Sequence, residues 1–449
     1  MAEIPKIRAE LSEKLSLFRA EVVDDTVVSS CMEDQLPVGF SVTNQMNPIR
    51  FFIRGTENWI DFEKSYFELE GEIEGNDGAT PPLDAFNSSL FSLSNNFLHN
   101  LFSSIHVNVN NSPVTFSNVN YPYVSYIQNL LNFNKDYMDT YSDLFLWSKD
   151  TAKHMNEYGH SNGSNLGAKA RKTWITSGNK VYGILKLQSP VFNIVPYLLN
   201  YLDIDITMNR TDNPAFYFMY KNPAATFKFR LDSIILRIRK LKLNETFNEA
   251  VAQMFNDGHT VPYPLGNTVV FTKTYSGYGT DIIEDNLFQG KLPSRVVLGI
   301  VSNSAYTGTH TENPFYFKHK NLTDIGLYVN GMPHPIPMTQ MDFSTGKTHR
   351  IYHYMLDSMQ STNPSNSTDA VAISKKEFDD GYTLFSFDMS SDQYGGLNHN
   401  ALYNDPANVR LHMRFKAGQA TDQITLIVYH EVASRMIISQ GRQVIVPVR

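Results

Sequence analysis

The residues whose types and spacing could do chemistry are few, and each has a plainer reading beside it. Asp203 and Asp205 alternate along a strand-like stretch and project from one face, as two carboxylates sharing general-acid and general-base work would. Any polar strand face produces such pairs, so a solvated sheet face is the simpler account. His349 and His353 stand one helical turn apart, the spacing of two metal ligands on a helix. The run reads HRIYH and lacks the glutamate that a zinc protease requires, which leaves a surface or core pair. Asp379, Asp380, Asp388 and Asp392 form an acidic string without the dense oxygen-ligand loop of an EF-hand, so turn and strand-end roles suit them better. Tyr275 to Gly279 (YSGYG) has neither the Lys-Ser/Thr ending nor the following helix of a phosphate loop. Cys31 has no identifiable base nearby. The string His106, Val107, Asn108 lacks the second histidine of a cupin metal set. No catalytic residue, metal ligand or cofactor site is expected, and the chain is read as not an enzyme.

The elements that would position these side chains are mostly strands. Phe67, Leu69 and Ile73 alternate with Glu68, Glu70, Glu72 and Glu74, giving one apolar and one acidic face. Leu202, Ile204 and Ile206 alternate with Asp203, Asp205 and Thr207, and Val409 to Phe415 repeats the pattern. Phe227 to Leu243 is long enough for a bent or bulged strand crossing a sheet edge. A partial repeat lies at half-chain spacing: IHVNVNNSP (Ile105 to Pro113) returns as IGLYVNGMP (Ile325 to Pro333). Each copy is an alternating strand, then a tight-turn signal, then a helix-like stretch. Short strands broken by turns, with long polar excursions at 148–180 and 358–380, point to antiparallel sandwiches with Greek-key connections. The fold expected is all-β: two tandem jelly-roll β-sandwich domains with short helices in the loops. An arm spans 1–45, the first jelly roll 46–245 and the second 246–449. Within the arm, Ile7, Leu11, Leu15, Phe18 and Val22 recur at helical spacing, while 23–45 reads as irregular.

Composition narrows the function classes. The net charge is −7, and charged residues make up only 18% of 449 positions, against a usual share of about 25%. A protein that condenses nucleic acid needs dense Lys and Arg to displace counterions. The nearest approach, Arg237 to Lys242 (RIRKLK), alternates with apolar residues and reads as a strand face or subunit contact. The lone cysteine excludes an intramolecular disulfide, and no stretch nears the ~18 apolar residues of a membrane span. The first residues (MAEIPKIRAELSEKL) carry no apolar signal core, so a soluble product made inside the cell is expected. On that ground the Asn-x-Ser/Thr matches at Asn162 and Asn244 are read as chance.

Several blocks resemble the major capsid proteins of Polinton/Maverick elements and adintovirus-like viruses. They are Ser94 to Val114, Tyr121 to Phe133, Leu292 to Gly331, Gly381 to Asp392 and the closing strands VRLHMRFKAG and ITLIVYHEV, in that order. The wider group includes the double jelly-roll capsid proteins of large DNA viruses, adenoviruses and tectiviruses. The resemblance implies a homotrimer of six similar lobes, a pseudo-hexagonal block tiling an icosahedral shell around a double-stranded DNA genome. Partners would be further trimers, penton and minor capsid proteins, with no sequence-specific nucleic acid binding, since a separate motor packages the genome. The arm would lie on the shell's inner side, where an inner membrane would meet it, and the protein would reside in the virion. Asn313 to Phe317 (NPFYF) and the 148–180 loop are candidate subunit contacts, the former equally an ordinary core strand. The alternative reading is a β-sandwich carbohydrate-binding or attachment protein, whose sign would be exposed aromatic platforms beside carboxylates.

Overall fold

The computed structural model describes residues 25–42, 48–75, 91–115, 120–159, 163–176, 179–221, 227–277, 280–290, 292–359, 362, 371–390, 407–417 and 422–446. The amphipathic pattern at 7–22, Asp392 and Asn162 lie outside the described residues.

The first half forms β1 (Val27–Gln35), β2 (Ile49–Ile53), β3 (Trp59–Gly75), β4 (Phe91–Leu93), β5 (Phe102–Val109), β6 (Ser112–Pro113), β7 (Lys180–Leu185), β8 (Ile204–Arg210), β9 (Phe218–Tyr220) and β10 (Phe227–Leu243). One sheet has the order β1-β10-β3-β7 and another β2-β8-β5-β6, with β4 and β9 paired separately. Strand pairs are antiparallel throughout. The inner faces meet through aromatic rings, such as Phe51 on β2 against Phe67 on β3 at 5.3 Å between centroids. Gly71 of β3 is required by that packing, because a Cβ there would lie 2.3 Å from the Phe229 ring. Residues 27–35, expected to be irregular within the arm, instead pair along β10, so the first sheet begins inside the expected arm. β10 is bulged, as its length implied, with register shifts after Leu231 and Arg237. It is an interior strand rather than an edge crossing.

The acidic face of β3 is not simply solvated. Arg230 of β10 pairs with Glu72 at 2.7 Å and with Glu74, while Lys180 of β7 reaches Glu70 at 2.9 Å. Arg237 pairs with Glu68 at 2.9 Å and with Asp34 of β1, and Lys240 with Glu33 at 2.7 Å. In this cross-strand ladder three glutamates of the β3 stripe pair with Arg230 and Arg237 of β10, while Arg239 and Lys240 of the basic run pair with Asp61 and with Glu33 of β1.

The second half forms β11 (Val261–Tyr275), β12 (Asp281–Gly290), β13 (Arg295–Ser302), β14 (Leu322–Val329), β15 (Met332–Pro333), β16 (Thr339–Gln340), β17 (Leu384–Asp388), β18 (Ala407–Phe415), β19 (Ile424–Ile438) and β20 (Val444–Ile445). Its sheets run β11-β19-β13-β17, with β20 on β19, and β12-β18-β14-β15, with β16 on β14. Position for position these orders repeat those of the first half. The sequence repeat falls on β5-β6 and β14-β15, the same corner of each sandwich. Both hairpins close through two residues with positive φ, Asn110 (45°) and Asn111 (63°), then Asn330 (48°) and Gly331 (85°). That backbone is what a two-residue turn needs to follow the strand twist. The helices Tyr121–Asn132 and His349–Ser358 follow the two hairpins.

Candidate functional site

A cluster of buried polar side chains joins the two halves. The helix Leu166–Lys172 holds Arg171, whose side chain is 0% exposed, against Asp150, also 0% exposed. The guanidinium meets Asp150 Oδ1 at 2.5 Å, and its Nε donates to the Leu93 carbonyl at 2.7 Å. A further N–H donates to the Ser148 carbonyl. Asp150 Oδ1 also accepts from Asn165 Nδ2 at 2.8 Å. The other carboxylate oxygen accepts from Asn313 Nδ2 at 2.9 Å, across the boundary between halves. Tyr382, from the second half, donates its hydroxyl to the Asp150 carbonyl at 2.7 Å. A buried ion pair is tolerable when further hydrogen bonds satisfy its polar atoms, and here each guanidinium nitrogen and each carboxylate oxygen has a partner.

Asn313 has a second task. Its Oδ1 accepts from the Phe315 N–H at 2.9 Å, the local turn that an Asn-Pro dipeptide favours. The turn points Phe315 into the first half, where it stacks on Tyr126 (4.2 Å, 5°) and meets Tyr123 edge-on (5.5 Å, 67°). The Tyr123 hydroxyl donates to the Pro314 carbonyl at 3.1 Å. Around the rim, Lys149 pairs with Glu377 (2.9 Å) and Lys153 with Asp380 (3.0 Å). The seam continues through Gln128 Nε2 to Thr268 Oγ1 (3.0 Å) and the stack of Tyr220 on His310 (4.2 Å). The Asn313–Phe317 run and the 148–180 loop therefore meet each other within one chain. The Asn313–Phe317 run, with Phe315 and Phe317 buried, lies outside any regular strand and forms part of this internal seam.

The candidate chemical groups are dispersed. Asp205 pairs with Arg50 at 2.6 Å, whereas Asp203 accepts from the Gly55 N–H at 2.8 Å, so the two carboxylates serve different neighbours. His349 and His353 lie exposed on their helix. Asp379 bonds Thr348 and Lys375, Asp380 bonds Lys153, and Asp388 caps Ser390. Cys31 is exposed on β1. Tyr275 ends β11, and its hydroxyl donates to Glu284 at 3.2 Å. Among the described residues no three His, Cys, Asp or Glu side chains converge as metal ligands. No described helix is long and apolar enough to cross a membrane. A cleft of ≈ 650 Å³ opens along the seam, but its Lys149 and Glu377 are already paired. Sequence reading missed Asp150, Arg171 and Tyr382. Only the Asn-Pro turn signal at 313 was available to mark the place.

Two enclosed histidines add a pH dependence. Burial lowers His99, which packs on Tyr121 and Phe145, from 6.5 to about 3. Burial likewise lowers His430, between Phe271 and Phe288, to about 4. Both rings stay neutral when folded and take up a proton more readily when unfolded, so stability is full above pH 6.5 and falls as pH drops towards these values. His99 alone is expected to cost about 1.5 kcal/mol between about pH 6.5 and about pH 5. Urea unfolding across that range, with His99→Gln flattening the slope, checks it.

No family model matches the chain. An uncharacterized protein of Caenorhabditis elegans is 21% identical over 385 residues, covering 84% of this chain and 87% of that protein. Solved structures match end to end. A chain of the Sputnik virophage superposes with TM-score 0.66 at 11% identity, covering 99% of this chain and 94% of its own. The Faustovirus major capsid protein gives 0.59 at 8% identity, with 94% and 93% covered. The mavirus major capsid protein gives 0.53 at 11% identity, with 99% and 95% covered. The two matched sandwiches and these likenesses define the class: the chain has the double jelly-roll fold built by virus major capsid proteins.

Proposed function

We propose that this chain is a major capsid protein, assembling as a homotrimer whose six lobes make a pseudo-hexagonal tile of an icosahedral shell around double-stranded DNA. The observation that carries the reading is the position-for-position repeat of sheet order in the two halves, within a fold that matches capsid proteins over nearly its whole length. Two like lobes, taken as 46–245 and 246–449, give a threefold assembly near-sixfold outlines. The seam supports this role, since fully bonded buried charges and stacked rings fix the angle between lobes that tiling requires. The cross-strand ladder neutralises most of the basic run in β10, in keeping with a shell that leaves genome packaging to other proteins. Partners are further copies, penton and minor capsid proteins, and the role is structural rather than enzymatic, in the virion. The mavirus likeness and the nematode relative fit a Polinton/Maverick-type element.

Light scattering on the purified chain tests the reading. A stable species of roughly three times 51.1 kDa, or closed shells, is expected. A monomer across wide concentration and salt ranges, with no mass gained on adding a penton or minor capsid protein, would overturn it. The carbohydrate-binding sandwich would then take its place.

A further inference from the structure

The two lobes carry matching outer sheets, and among the described residues only one of them is covered. In the second lobe, His430 and Phe271 turn inward to Phe288 of β12, so Thr268, Tyr429, Arg295 and Val297 make the outer face of β11-β19-β13. The first lobe's helix Tyr121–Asn132 lies on that face. Gln128 donates to the Thr268 hydroxyl at 3.0 Å, Asn132 accepts from Arg295 at 3.3 Å, and Tyr429, Arg295 and Val297 are buried.

The equivalent face of the first lobe, on β10, β3 and β7, is open. Ile235 and Ile184 flank Glu68 in register, and Ser233 and Tyr182 flank Glu70. With Leu144 and Asp143 they line a groove of ≈ 370 Å³. Tyr182 is 48% and Leu144 41% exposed. Apolar ground left open on the solvent side of a sheet marks a contact surface. Its charge is acidic on balance, with Arg237 and Lys180 set against Asp34, Glu68, Glu70 and Asp143.

The covering helix also has a counterpart. His349–Ser358 follows the hairpin β14-β15 as Tyr121–Asn132 follows β5-β6. Its Ile351, Met355 and Ser358 are buried, whereas His349, Arg350 and His353 stand exposed, just after exposed Lys347. Asp357, near its end, is the one carboxylate on the helix. This basic face is opposite in sign to the groove. Around a threefold axis first and second lobes alternate, so each second lobe meets the first lobe of the next copy. We propose that the helix His349–Ser358 of one copy lies on the open face of β10, β3 and β7 of the next copy. It repeats between chains the contact that Tyr121–Asn132 makes within one. Such a head-to-tail contact closes a ring after three copies, and the opposite charges set its register. The inference rests on the homotrimer reading and names the surface that builds the trimer.

Cross-linking of the full chain tests it, with exposed Cys31 changed to serine. His353→Cys with Ser233→Cys is expected to give covalent dimers and trimers with a short bis-maleimide. His353→Cys with Met332→Cys, on an exposed hairpin outside the proposed contact, should leave single chains. As a second readout, Arg350→Glu with His353→Glu should raise the concentration at which trimers dissociate by about tenfold, because like charges then face each other. Adding Glu70→Lys and Asp143→Lys should reverse that loss, with circular dichroism unchanged throughout. A wild-type chain that stays monomeric would overturn the trimer reading and this contact together. A stable trimer that links no better through Ser233 than through Met332 would overturn the contact alone. So would glutamates that leave the trimer intact, or a loss that the lysines do not reverse.

Discussion

Asp150→Ala is expected to destabilise the protein by about 3–5 kcal/mol, because it leaves the Arg171 guanidinium buried without its counter-charge. The loss reaches beyond the pair, since Asn165 and Asn313 would each lose an acceptor. Arg171→Met combined with Asp150→Leu should recover part of the stability, as an apolar pair removes the uncompensated charge. It cannot recover all of it, because the Leu93 and Ser148 carbonyls lose their donor. Urea unfolding monitored by fluorescence measures all three variants. A loss under about 1 kcal/mol for Asp150→Ala would mean that the network contributes little to holding the seam. The same variant should also lose trimer mass in light scattering if the seam sets the angle between lobes.

Phe315→Ala is the second large effect, at about 3–5 kcal/mol from lost burial and the cavity left behind. Phe315 belongs to the second half and its ring partners, Tyr123 and Tyr126, to the first, so the cost falls on the junction. Unfolding is expected to broaden as the two lobes lose cooperativity, which a lowered apparent m-value would register. A double-mutant cycle with Tyr126→Ala isolates the ring stack, with a coupling of about 1 kcal/mol. Additive losses would assign the stabilisation to burial alone.

Much of the fold was legible because it is written in near neighbours. Alternation at Phe67, Leu69 and Ile73, or at Ile204 and Ile206, follows from the period of a strand with one wet face. The repeated hairpins showed because asparagine and glycine tolerate the positive φ that their turns require. β1 was missed for the same reason in reverse: it is an edge strand exposed along most of both faces, so nothing forces alternation on Val27 to Gln35.

The sequence by itself determined an all-β chain of two similar sandwiches, an acidic stripe, a basic strand and the lack of any compact chemical motif. Only the tertiary structure decided that most of the stripe pairs with arginines of that strand, and that the Asn313–Phe317 run packs on the 148–180 loop of its own chain. Asp150 and Asn313 stand 163 residues apart, and no local period relates them. Their meeting is set by how two sandwiches bury their ends against each other, a sum over many distant contacts that no window of sequence contains.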